Sequence, residues 1–126
     1  MQIRIFYHDT DCGGVVYYAN YLKYMEEART EFFEQRGISF SSLASEGILF
    51  VVARQEVDYK SPAVYGDCLE VETRFGDVTA VRMVAEHRIT SLEKKVICSG
   101  KTTLVCVDKE IKPRQIPEFI KEKLLQ

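Results

Sequence analysis

The period of the apolar positions changes twice along the chain. From Gln2 to His8 it is two: Ile3, Ile5 and Tyr7 share one face, while Gln2, Arg4, Phe6 and His8 share the other. That alternation predicts a strand with one buried face. After a turn-rich stretch the period lengthens. Tyr21, Met25, Ala28 and Phe32 fall on one helical stripe, with Leu22 and Arg29 beside it. Lys23, Glu27, Thr30, Glu31 and Glu34 take the opposite side, which predicts an amphipathic helix preceded by Asn20. Gly37 stands where such a helix should stop. The segment SFSSLASEG reads as a connection with room for one short helical turn. Period two then returns from Ile48 to Val107, in ILFVVARQEVDY, CLEVETRF, VRMVAEHRIT and KVICSGKTTLVCV. Ser61-Pro62 closes the first of these segments, and Pro117 sits near the start of a short terminal helix in IPEFIKEKLLQ.

The order is strand, long helix, then four consecutive strands. It predicts an α+β fold in which a long antiparallel β-sheet wraps around one central α-helix. A length of 126 residues with 46% apolar content suits a single domain spanning 1–126, with one core. No internal repeat or linker interrupts it.

Charge narrows the function classes. Lys and Arg number 17 against 19 Asp and Glu, a net charge of −2, so the basic footprint of a nucleic-acid binder is missing. The opening MQIRIFYHDTD has no apolar core of a signal peptide, and no apolar run is long enough to span a bilayer. A cytoplasmic protein is expected. Cys12, Cys68, Cys98 and Cys106 have no CxxC spacing, so reduced thiols are expected and a metal site is not. Cys98 and Cys106 lie in an apolar pattern and read as core residues.

The chemistry concentrates in DTDCGGVVYYANY. Two carboxylates, Asp9 and Asp11, end a strand; Gly13-Gly14 makes a turn; a helix begins near Tyr17 to Asn20. Unsatisfied N–H groups at a helix start can hold a polarised carbonyl oxygen. A carboxylate facing that carbonyl can attack it or activate water, which is the minimum for acyl transfer. Glycine at Gly13 and Gly14 lets backbone approach a ligand. The pattern alone does not choose between Asp9 and Asp11, and a plain structural junction has the same composition. Asp9 reads as a residue that satisfies backbone N–H groups of the turn. His87, mid-strand in AEHRI, reads as a packed histidine.

The string YHDTDCGGVVYYANYLKYMEEARTEFF resembles the signature of the 4-hydroxybenzoyl-CoA thioesterase family of hotdog proteins, and most of all its Tol-Pal-associated, YbgC-type members. The matching elements are Asp9-Thr10-Asp11, Gly13-Gly14, Val15-Val16-Tyr17, Asn20-Tyr21 and Glu26-Glu27-Ala28-Arg29. FVVARQEVDYKSPAVYGDCLEVET and VCVDKEIKPRQIP match as well, so the resemblance covers nearly the whole chain. It implies a hotdog fold and hydrolysis of an acyl-CoA thioester, with CoA as part of the substrate and no metal or redox cofactor. It places the catalytic carboxylate on Asp11 and the carbonyl-polarising backbone N–H on Tyr18. YbgC-type members mostly carry His at that second position, so an imidazole role is excluded here, while the N–H remains.

The same resemblance implies acyl-pocket walls at Val16, Tyr17, Phe50 and Val52. The family's basic CoA contacts fall on Thr79, Ala80 and Val81, none of them cationic; Lys60, Ser61 and Arg82 are the replacement candidates. A homodimer or homotetramer is implied, and acyl carrier protein is a further candidate partner. Three rival functions stay open: a non-catalytic module binding acyl-CoA or acyl carrier protein; a dehydratase, which would need a catalytic histidine in the pocket; and an interaction protein tied to an envelope or lipid-synthesis complex.

Overall fold

The alternating segments pair into one five-stranded antiparallel sheet of order β1-β3-β4-β5-β2 in the computed structural model, which describes residues 1–125. The strands are β1 (Gln2–Arg4), β2 (Leu49–Tyr59), β3 (Cys68–Gly76), β4 (Arg82–Ser91) and β5 (Val96–Val107). The helices are α1 (Asn20–Glu34), α2 (Phe40–Ser45) and α3 (Glu118–Leu124). The short turn expected in SFSSLASEG is α2. The expected terminal helix is α3; Gln126 lies outside the described residues.

Alternation decides which face of the sheet meets α1. Leu69 and Val71 on β3, Ala85 and Ile89 on β4, and Cys98 and Leu104 on β5 are buried, while Glu72, Arg74, Arg88 and Lys101 face water. On that outer face Arg74 donates to Glu86, and the Lys101 ammonium lies 3.7 Å from the same carboxylate. Tyr21, Tyr24, Met25, Ala28, Arg29 and Phe33 of α1 are buried. This stripe differs from the expected one: Leu22 is exposed, and Phe32 is only partly buried, resting on Phe75 at 5.0 Å. Met25 lies on the β5 backbone itself, since a Cβ on Gly100 would come within 2.6 Å of its Cε. Burying a side chain of that size contributes about 2 kcal/mol. The helix stops at Gly37 as expected: with φ at +77°, Gly37 N–H bonds Glu34 O and Ile38 N–H bonds Phe33 O, at 3.0 and 2.9 Å.

Two departures from the expected pattern shape the functional end. The first strand ends at Arg4 rather than His8, because Asp9 Oδ2 accepts the Phe6 N–H at 2.8 Å and the chain coils into a 3-10 turn at Tyr7–Asp9. Ile5 stays buried while Tyr7 turns outward, 77% exposed. The second is a bulge in β2. Val52 pairs with Leu104 but Arg54 pairs with Thr103, so Ala53 is an extra residue. The side-chain period therefore inverts. Before the bulge Phe50 and Val52 sit opposite the inward Cys106 and Leu104; after it Gln55, Val57 and Tyr59 sit opposite the inward Thr102, Gly100 and Cys98.

A polar layer divides the core beneath α1. Arg29 Nη1 donates to Thr102 Oγ1 at 3.3 Å, and Thr102 donates to Gln55 Oε1 at 2.7 Å. His87 Nδ1 lies 3.1 Å from Thr73 Oγ1. Burial, helped by the Arg29 charge, pushes the His87 imidazole down to about 4, so it is neutral at pH 7. His87 is the packed histidine its mid-strand position suggests.

Candidate functional site

The site grows from Asp9. Its side chain caps the 3-10 turn, and its carbonyl accepts both the Tyr17 N–H (2.9 Å) and the Asn20 Nδ2 (2.8 Å). Asp9 thus ties the end of the first segment to the start of α1, the structural role expected of it. Between these ties the chain folds back as a small hairpin. Thr10 bridges Val16, and Asp11 N–H donates to Val15 O at 2.9 Å.

Asp11 stands exposed on this hairpin. Its Oδ1 accepts the Gly13 N–H at 2.8 Å, while Oδ2 has no hydrogen-bond partner among the described residues. A Cβ at Gly13 would stand 3.2 Å from Oδ1, so a larger residue there would push the carboxylate aside by a few tenths of an ångström. Gly14 takes the turn with φ at +83°, a conformation other residues adopt at a cost.

The backbone at the start of α1 is presented in an unusual way. Tyr17 O accepts the Asn20 N–H at 2.9 Å, and Leu22 N–H bonds Ala19 O at 3.2 Å. The Tyr18 and Ala19 N–H groups have no acceptor among the described residues, and no side chain caps the helix. They lie at the positive end of the α1 dipole.

Beside them opens a groove of about 310 Å³, lined by Val15, Val16, Tyr18, Tyr21, Tyr59, Lys60, Ser61 and Pro62. It joins four of the residues expected from sequence: Val16, Tyr18, Lys60 and Ser61. Burial pushes the Tyr21 hydroxyl up to about 12 and raises that of Tyr59, and Lys60 is the one cationic side chain among the groove's lining residues. Gly14 lies at the hairpin tip, and Tyr17 packs at a tilt against Tyr18, 4.9 Å between centroids, without lining the groove. Phe50 and Val52 line a separate cavity of about 500 Å³ with Arg29, Ser41 and Leu104.

Arg82 lies elsewhere. It pairs with Val105 on β5, whereas Lys60 N–H bonds Ile97 O, and eight residue steps along the strand separate those positions by about 26 Å. Within one chain it cannot share a ligand phosphate with Lys60, a separation that charge alone did not reveal. A cleft of about 650 Å³ on the outer sheet face is walled by the charged Glu56, Asp58, Glu72, Arg74, Glu86, Arg88 and Lys101 and does not include Asp11. The sequence reading missed Tyr59 and Asn20 as parts of this site. Asn20 had a signal in its place at the helix start, where it proves to be the first residue of α1 and not the one before it; Tyr59 had none, because the bulge alone turns it inward.

A family model described as the thioesterase-like superfamily matches residues 7–124. The acyl-CoA thioester hydrolase YbgC of Escherichia coli O6:H1 is 37% identical over 119 residues, covering 94% of this chain and 89% of that protein. A thioesterase of Thermus thermophilus, solved in complex with coenzyme A and Zn, is 31% identical with a TM-score of 0.84, covering 98% of this chain and 89% of that one. A 1,4-dihydroxy-2-naphthoyl-CoA thioesterase from Synechocystis shares the fold at a TM-score of 0.94 and 22% identity, covering 100% of this chain and 94% of that one.

Proposed function

The chain belongs to the thioesterase-like superfamily of hotdog proteins, and from this premise we propose how it hydrolyses the thioester of an acyl-CoA. The thioester carbonyl oxygen sits against the Tyr18 N–H, with the Ala19 N–H beside it. Asp11 attacks the carbonyl carbon, or takes a proton from a water that does. Negative charge that builds on the carbonyl oxygen meets N–H groups already oriented and unpaired, so little reorganisation is needed at the moment of reaction. The C–S bond then breaks and CoA leaves as thiolate. In the nucleophilic route a second water releases the acid from Asp11; in the base route the acid forms directly.

One observation supports this reading: a carboxylate with a free oxygen stands on the hairpin that leads directly into a helix start whose Tyr18 and Ala19 N–H groups are unbonded among the described residues. Release of CoA thiol from a panel of acyl-CoAs tests it, with Asp11→Asn run in parallel. We expect Asp11→Asn to lose turnover by about a thousandfold with the fold intact. Turnover near wild type in that variant would sink the role of Asp11.

Lys60 and Ser61, lining the groove, are the CoA-phosphate contacts in this scheme, and Val16 and Tyr17 flank the acyl end. The outer edge of β2, a strand of 11 residues, has no partner strand among the described residues, which supports a homodimer or homotetramer joined there. A monomer mass in sedimentation would contradict it. No helix among the described residues is long and apolar enough to cross a membrane. The four cysteines are free, which suits work in the reducing cytoplasm. The acyl groups there are carried by CoA and also by acyl carrier protein; parallel assays with the two carriers test that breadth.

A further inference from the structure

We infer that Tyr59 is a positioning residue for this hydrolysis: its hydroxyl holds the peptide that follows Tyr18, so that the helix-start N–H groups face the thioester carbonyl. The inference rests on the assignment of the carbonyl to Tyr18 made above.

The geometry follows from peptide planarity. In a trans peptide the C=O and N–H point in opposite directions, so fixing one fixes the other. Two peptide planes bracket Tyr18. The first contains Tyr17 C=O and Tyr18 N–H, and its carbonyl is held by the Asn20 N–H at 2.9 Å. The second contains Tyr18 C=O and Ala19 N–H. In a regular helix that carbonyl would accept the N–H four residues on. Here Leu22 N–H goes to Ala19 O instead, and Tyr18 O accepts the Tyr59 hydroxyl at 3.2 Å. Tyr59 therefore supplies the restraint that the helix does not. An accepted hydrogen bond on a carbonyl also polarises the N–H across the same peptide.

Tyr59 is suited to the task for two further reasons. Its ring packs on Tyr18 and Tyr21, at 6.2 and 5.7 Å between centroids, so the hydroxyl has a fixed base. Burial raises its pKa, so it stays a neutral donor across the working range. It lies at the last position of β2 and reaches the groove only because Ala53 inverts the period of that strand.

Tyr59→Phe tests this, since the ring stays and only the hydroxyl goes. Measured beside it are wild type, Asp11→Asn, and the affinity of each for an S-alkyl-CoA thioether, which has no carbonyl. We expect kcat of Tyr59→Phe to fall about tenfold, the size of one lost hydrogen bond in the transition state. We expect KM and thioether affinity within about twofold of wild type, and a melting temperature within about 2 °C. A kcat within about twofold of wild type would overturn the inference, as would a parallel loss of thioether binding, which marks a merely structural role. If Asp11→Asn is inactive while Tyr59→Phe is fully active, the role of Tyr59 alone fails. Lack of turnover by wild type would remove both readings together.

Discussion

The two ends of the sheet-and-helix sandwich are built from different aromatic residues. Around the start of α1 lie Tyr17, Tyr18, Tyr21, Tyr24 and Tyr59, and every ring in this set of contacts is a phenol. Around its end lie Phe32, Phe33, Phe40, Phe50 and Phe75, in face and edge contacts of 5.0–6.5 Å. Phe33 is fully buried, whereas Tyr18 and Tyr59 are about half exposed or more. Phenylalanine offers only area and shape, so its end is held by packing alone; tyrosine adds a hydroxyl that must find a partner or water, so its end is directional. The Tyr24 hydroxyl shows the cost, buried without a hydrogen bond and with its pKa raised chiefly by burial and then by the nearby Asp9. The difference separates stability from chemistry along a single helix.

That separation can be broken from either side. Asp11→Asn should cut kcat about a thousandfold, near 4 kcal/mol of transition-state stabilisation, with no change in melting temperature. A variant that also unfolds early would show that the open end carries fold stability. Phe33→Ala should do the reverse: about 3–5 kcal/mol of stability lost in urea unfolding, with kcat per folded molecule kept at low temperature. The layer between the ends responds to acid. His87 has its pKa lowered from 6.5 to about 4, so the unfolded chain takes up this proton first as pH falls. Its contribution is complete above pH 6.5 and is lost progressively down to about pH 4, by up to about 3 kcal/mol. Thermal melts of His87→Gln across that window should be flatter than wild type; equal slopes would exclude His87 as the source. The smallest effect belongs to Lys60→Gln, which should raise KM about threefold at low salt, fading near molar salt, with kcat unchanged. A KM indifferent to both charge and salt would remove Lys60 from the substrate contacts.

Much of this was legible in the chain. The strands after Ile48 and the central helix announce themselves because one face of each is buried and one is wet. The junction Asp9 to Tyr18 was legible as a carboxylate–turn–helix start, and the family resemblance singled out Asp11 and Tyr18. What stayed hidden depended on contacts at a distance. Tyr7 continues the alternation of Ile3 and Ile5, and only the capture of the Phe6 N–H by Asp9 ends the strand early. Arg82 was a candidate by charge, but charge does not say at which end of β4 a residue lies. The bulge leaves no mark in VVAR: no glycine and no proline signals it, and so Tyr59 read as one more strand residue.

Ala53 works as a spatial reading frame. Pairing that single residue into the ladder, with no bulge to absorb it, would exchange the fates of everything after it. Arg54, Glu56 and Asp58 would turn under α1, and Gln55, Val57 and Tyr59 would turn to water. Deleting Ala53 would instead leave Arg54 opposite Thr103 and Tyr59 opposite Cys98, so the strand can lose the bulge residue and keep its faces, but cannot take that residue into the ladder and keep them.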